Sequence, residues 1–391
     1  MSPLERRSRF VLAQEHYEGP FAQLCREFDY SRKAGYALLA RYREGGLESL
    51  ADRSRRPHQH PTALTEAQIG ELAALRGEHP TWGPKKLRGY LLLHDRWSPA
   101  CSTIGAVLQR EGLSTPRRRV RRTPPYTAPF AACSGPNALW CIDYKGWFRT
   151  QDGQRVEPLT ITDAHSRFLL RCQALRDTSH EAAYPVVLAA FREYGLPAVI
   201  RSDNGSPFAS TALGGLSRLT VWWIRLGIVH ERIDPGRPYQ NGRHERMHGT
   251  LKIEGTQPPQ ANRRAQQQLF HRFRQQFNEV RPHEALGQRP PASQYTPSPR
   301  PYPLCLPELE YPAGVIIRRV RSNGEIKWKG QRLYLSETLV GESVGLEQVD
   351  HHRWRLWFGP VELALLDHHT GKLIIPKAKT RSRQHEQEVV P

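Results

Sequence analysis

Apolar positions recur at helical spacing up to about residue 115, then give way to short alternating runs from about Asn137 onward. Phe10 to Tyr17 and Phe21 to Phe28 read as short amphipathic helices. After the turn at Asp29-Tyr30, Ser31 offers an N-cap for a longer helix reaching about Glu44. Two short helices, a tight turn and a third helix give 1–52 a helix-turn-helix pattern, which a plain three-helix bundle would also produce. The arrangement recurs over 62–115. Thr65 caps a helix to about Glu78 with Ile69, Leu72 and Leu75 on one face, Pro84 opens a second, and Ser102 to Glu111 forms a third. Between and after these modules lie polar, basic, Pro-bounded linkers at 52–61 and 116–136.

From Leu139 the order becomes strand (to Phe148), strand (Pro158 to Ile161), strand (Phe168 to Cys172), helix (Ser179 to Tyr194) and strand (Ala198 to Ser202), with long helices at Arg243 to Glu254 and Arg263 to Phe277. That is an α/β order with a mixed sheet over 137–297. After the Pro-rich link Pro290 to Pro312, six short alternating runs with turn signals such as Asn323-Gly324 predict a small β-barrel over 313–370. The tail 376–391 is charged and Gln-rich, and reads as disordered.

Charge sharpens this picture more than composition does. Apolar residues make up 38% and charged residues 24% of the 391, ordinary for a globular protein. The 57 Lys and Arg against 38 Asp and Glu leave a formal +19, and a surface that positive attracts polyanions through counterion release, nucleic acid foremost. On that footing Arg32, Lys33, Tyr36 and Arg41 of the first module's third helix face double-stranded DNA. Lys85, Lys86, Ser102 and Thr103 do so in the second module, and Arg117, Arg118 and Arg119 in the basic linker. No run approaches the ~18 apolar residues a membrane span needs. Six scattered cysteines without a CxxC pair read as reduced thiols of a cytoplasmic protein.

Three acids stand out. Asp143 follows the apolar run Leu139-Trp140-Cys141-Ile142, where a carboxylate is costly unless paired or metal-bound. Asp203 ends an apolar strand and precedes the turn Asn204-Gly205, and Glu245 opens a helix after Pro238-Tyr239-Gln240-Asn241-Gly242. Each alone has an everyday reading: a turn acid, an edge-strand acid, an acid at a helix N-terminus. Two rivals are set aside. Asp163 looks like a hairpin-turn acid, and Glu254 lies nine residues beyond Glu245, on the opposite helix face.

Trp140-Cys141-Ile142-Asp143, Ser202 to Phe208, Gln240 to Lys252, Asn278 to Leu286 and His79 to Leu87 together resemble the insertion-sequence transposases related to retroviral integrases. The resemblance implies an RNase H-like integrase core between helix-turn-helix modules and the C-terminal barrel, in a bacterial, nucleoid-associated protein. It implies a catalytic, metal-binding triad at Asp143, Asp203 and Glu245, with two Mg²⁺ (or Mn²⁺) ions per site. It also implies phosphodiester hydrolysis at the ends of a mobile element, then attack of the freed 3′-OH on target DNA by a homo-oligomer assembled on the DNA. Lys252, two turns beyond Glu245, would hold a phosphate and His248 is a weaker candidate for DNA-end contact. The alternatives are a DNA-binding regulator with an inactive core and an RNase H-like nuclease without joining activity. One departure concerns residues 204–244, 41 in number, which separate the last two acids. That is longer than retroviral integrases use, and Leu213 to His230 must absorb the excess.

Overall fold

The computed structural model describes residues 2–52, 63–94, 97–114, 133–234 and 241–375. Arg117, Arg118 and Arg119, most of both linkers, and the expected disordered tail lie outside these. The chain divides into two compact units, Met1–Glu66 and Ala67–Pro391.

The first unit is three helices, α1 (Pro3–Glu15), α2 (Phe21–Glu27) and α3 (Arg32–Gly45), closed by a 3₁₀ turn at Leu47–Leu50. Ser2 and Glu5 form a capping box on α1, and the Ser31 hydroxyl accepts the Ala34 N–H at 3.1 Å to start α3. Phe10, Val11, Leu24, Cys25, Leu38, Leu39 and Leu50 bury the apolar stripes of all three helices in one small core.

In the second unit, α4 (Glu66–Glu78), α5 (Pro84–Leu93) and α6 (Cys101–Arg110) precede the sheet. Strand β1 (Leu139–Tyr144) pairs antiparallel with β3 (Arg155–Asp163), which pairs antiparallel with β4 (Leu169–Leu175). The two-residue β2 (Phe148–Arg149) continues the β1 edge of β3. On its other side β1 pairs parallel with β5 (Val199–Ser202), and β5 with β6 (Val229–Arg232). Alternation along the strands gives the sheet two apolar faces. Trp140, Ile142, Leu159 and Ile161 pack against α7 (His180–Tyr194) and α8 (Arg218–Arg225). Val156, Cys172 and Ala174 pack against α9 (Gly242–Gly255) and α10 (Arg263–Gln275). This is the mixed sheet with flanking helices expected of the central region.

The extra length between Asp203 and Glu245 becomes α8 and β6. Helix α8 is apolar on two sides. Leu219, Trp222 and Trp223 enter the sheet's core, whereas Val221 and Ile224, with Leu213 and Leu216, enter the core of the C-terminal region. There β7 (Ile316–Arg319), β10 (Ser343–Gln348), β11 (Arg353–Phe358), β12 (Val361–Asp367) and β13 (Lys372–Ile374) form an antiparallel sheet in the order β13-β12-β11-β10-β7. The hairpin β8 (Glu325–Trp328) with β9 (Gln331–Tyr334) stands apart from it.

The small barrel expected over 313–370 is thus not closed among the described residues: no ladder joins β7 to β13. A barrel seals its core by pairing its own edges. Here Ile326, Trp328 and Leu333 of the hairpin and the α8 side chains cover Val344, Leu346, Leu356 and Phe358 instead. Arg225 adds an ion pair to Glu342 at 2.8 Å at this junction. Ile224→Ala is expected to cost about 3 kcal/mol, the usual range for emptying a buried aliphatic site. Amide exchange in β10–β12 should accelerate, and a stability loss below about 1 kcal/mol would show that α8 does not seat this sheet.

Candidate catalytic site

Strand β1 places Asp143 directly across from Thr160 on β3, so both side chains point to the α9 face of the sheet. Asp203 follows β5, and its Oδ1 accepts the Gly205 N–H at 3.1 Å. A Cβ at Gly205 would stand 3.0 Å from Asp203 Oδ2, so a larger residue in this turn would have to shift the carboxylate. Asn204 pins the same turn by donating to the Ile233 carbonyl at 2.7 Å. Glu245 is exposed in the first turn of α9, where the helix dipole favours an acid.

Asp143 senses both other acids. Burial pushes the Asp143 carboxyl up to about 7, and the charges of Asp203 and Glu245 push the same way, against the Tyr144 N–H and Lys145. Burial also raises Asp203, with the Gly205 N–H opposing. Direct convergence is a different matter. Among the described residues, the side chains whose ligand atoms lie within 4.8 Å of one another are Asp143, His244 and His248. Asp203 and Glu245 are not in that group.

The two histidines dock α9 on the sheet. His244 Nδ1 meets Thr162 Oγ1, and Nε2 of His244 and of His248 both meet Thr160 Oγ1, each at 2.7 Å. Thr160 Oγ1 also donates to the Asp143 carbonyl at 3.1 Å. Both rings are neutral: burial lowers His244 well below its usual value, and His248 to about 3. With one proton per neutral ring, keeping all four contacts makes both Nε2 atoms donors and leaves His248 Nδ1 as a lone pair. That lone pair stands 3.9 Å from Asp143 Oδ2. His248 is therefore a buried neighbour of Asp143 rather than a DNA-facing residue.

Two lysines also carry charge near this site. Burial and the Lys252 charge both lower the Lys145 pKa, and Asp143 raises it. Sequence reasoning missed Thr160, His244 and Lys145. The paired histidines at i and i+4 on α9 were the available signal for a common face. Glu254, by contrast, is taken up by Arg281 at 2.5 Å and by the Thr81 hydroxyl. Asp163 is fully buried and accepts from Asn137 N, Ser166 N and Ser166 Oγ at 2.6–2.7 Å, as a turn-closing acid does.

The remaining basic candidates divide. Arg32, Lys33 and Tyr36 are exposed on α3, with Tyr36 resting on the Phe21 ring at 4.4 Å. Arg41 instead turns back to the Ser49 and Ala51 carbonyls and holds the 3₁₀ turn. Lys85 pairs with Glu284 at 2.5 Å. Lys86 is half-buried, lowered to about 8 by burial and then by Arg281. Ser102 is exposed at the start of α6 and Thr103 half-buried.

Asp143 is the carboxylate on which charge gathers: Asp203 and Glu245 act on it from one sign and Lys145 from the other, and a lone pair of His248 faces it. Carboxylate oxygens are the ligands a hard divalent cation takes.

Residues 134–238 and 226–291 match the integrase core domain family, and residues 34–108 a homeodomain-like domain. The chain is 29% identical to the uncharacterized 39.2 kDa protein of insertion element IS476 of Xanthomonas euvesicatoria, over 62% of this chain and 69% of that one. It is also 29% identical to the uncharacterized 31.7 kDa protein of insertion element IS407 of Burkholderia multivorans, over 59% of this chain and 82% of that one. Among solved structures, the HTLV-2 integrase catalytic core domain in complex with magnesium is similar at 15% identity and a TM-score of 0.34, over 42% of this chain and 99% of that one. That likeness is too loose to add to the sequence matches. No helix among the described residues is long and apolar enough to cross a membrane. The chain thus carries two integrase core matches and a homeodomain-like match, and it is similar over about three fifths of its length to proteins of bacterial insertion elements.

Proposed function

We propose that this chain is a transposase that binds the terminal repeats of a mobile element as an oligomer, cuts a phosphodiester at each end and joins the freed 3′-OH to target DNA. The observation that carries the reading is the half-buried Asp143 carboxyl, raised to about 7 by burial and then by the charges of Asp203 and Glu245. A carboxyl raised by desolvation and by other acids fits a cation-dependent centre better than a structural ion pair. Asp143, Asp203 and Glu245 would hold Mg²⁺ or Mn²⁺, which when bound supplies charge stabilisation at the attacking and leaving oxygens. The chain's own contribution is placement. Strand β1 and the strand-end turn at Gly205 fix two acids on rigid elements, and the Thr160–His244–His248 network seats the helix that carries the third. Lys145 and Lys252, which sense each other's charge, would hold the phosphate of a strand entering the centre. On α3, Arg32, Lys33 and Tyr36 supply the groove contacts that select the element end, and the α6 residues Ser102 and Thr103 do the same in the second module.

The test incubates the purified chain with Mg²⁺ and a duplex carrying the sequence that flanks its reading frame. Joined products longer than the input strand are expected, and chelation should abolish them. Hydrolysis without joining would identify a nuclease; tight end binding with neither reaction would identify a regulator.

A further inference from the structure

Beside the N-terminus of α9, on the flank away from Glu245, an open cavity of about 760 Å³ is lined by Arg167, Arg243, Arg289, His165, Cys133 and Gln294 among others, and no carboxylate lines it. We infer that this cavity holds a backbone phosphate of the bound DNA, outside the strand position that reacts. The inference rests on the transposase reading proposed above.

Three guanidinium groups around one concavity repel one another, and an oxyanion is the ligand that relieves this. Burial and then the Arg243 charge depress even the Arg167 guanidinium, to about 10. The nearby acids are already committed. Asp163 is buried under the Ser166 and Asn137 bonds, and Glu284 is paired with Lys85. The cavity is also held rigidly. Arg167 sits in the β3–β4 turn at φ 66°, with its guanidinium donating to the Ala164 carbonyl, and Arg243 donates to the same carbonyl at 3.2 Å.

Two placements favour DNA over a free anion. Arg243 and Glu245 are two residues apart, about 200° around the helix. The cavity and the acids therefore flank α9 on opposite sides, as contacts to successive parts of one polymer would. The loop that closes the cavity, Ala285 to Arg289, is braced by the second helical module. Lys85 pairs with Glu284, and α5 approaches so closely that a Cβ at Gly89 would stand 2.7 Å from Gln288 Cβ. DNA lying on that module and reaching the acids passes this loop.

The test measures binding of a fluorescent mixed-sequence duplex against salt for the full chain and for Arg243→Ala/Arg289→Ala. Loss of one phosphate contact should shrink the log–log salt slope by about 0.9, and weaken binding severalfold at low salt. Thermal unfolding with inorganic phosphate is run beside it. An unchanged slope overturns the inference, and a phosphate-induced rise in Tm alongside it would assign the cavity to free anions. If the wild-type chain binds no duplex, the transposase reading falls first, and the inference with it. Should the double variant fail to fold, Arg289→Ala alone, an exposed loop position, carries the same slope criterion.

Discussion

Asp143→Asn is expected to lower cleavage and joining on the order of a thousandfold or more, about 4 kcal/mol of transition-state stabilisation, while end binding stays within about twofold of wild type. The substitution keeps the size and the backbone of β1 and removes one anionic ligand. Asp143 is the acid on which the charges of Asp203 and Glu245 both act, so its loss should also weaken Mn²⁺ binding measured by calorimetry. A second readout separates a ligand from a structural acid. In metal-free protein burial and like charges raise the Asp143 pKa, so its ionised form opposes folding. The Asn variant should therefore unfold at the same temperature as wild type or higher. A variant that loses DNA binding, or that melts well below wild type, would give Asp143 a structural task instead.

The sequence pattern reached most of the architecture because most elements bury a single face. Ser31 before α3, Pro84 before α5 and Gly195 after α7 mark boundaries by local chemistry alone, and the structure has them there. Helix α8 was not legible. Leu219, Val221, Trp222, Trp223 and Ile224 face two different cores, so apolar side chains cover most of its girth, and eight residues are too short a run to say helix or strand. The same junction explains the barrel. Alternation announces strands with one buried face, but not what covers that face, and here a helix from the integrase core does part of the covering. Near the site, Asn204-Gly205 announced the turn after Asp203 by its residue types, and the structure has a turn there, held by Asn204 and the Gly205 N–H. The Thr160 network was not, since it joins β3 to α9 across more than 80 residues and depends on strand register.

Glu245 and Glu254 offer the sharpest contrast on one helix, because the same substitution should have opposite consequences. Glu254→Ala removes the partner of Arg281, whose side chain is only 7% exposed, and leaves that guanidinium buried beside half-buried Lys86. Breaking such a pair from one side costs about 3–5 kcal/mol, because the remaining charge keeps its desolvation cost. The effect reaches further, since Thr81 also donates to Glu254 and ties the α4–α5 turn to α9. Thermal unfolding of the second unit should shift down by roughly 2 °C or more for each kcal/mol lost. Glu254→Gln should recover part of the loss by keeping an acceptor for both donors. Glu245→Ala removes an exposed side chain from a first helical turn, which costs about 0.5 kcal/mol through the dipole and little else. Its expected effect is on the reaction, a loss on the order of a thousandfold at wild-type stability. If instead Glu254→Gln abolished joining in a stably folded chain and Glu245→Ala did not, the third acid of this centre would be Glu254. Helix α9 would then have to turn by about half a revolution from the orientation its buried His244, Met247, His248 and Leu251 now define.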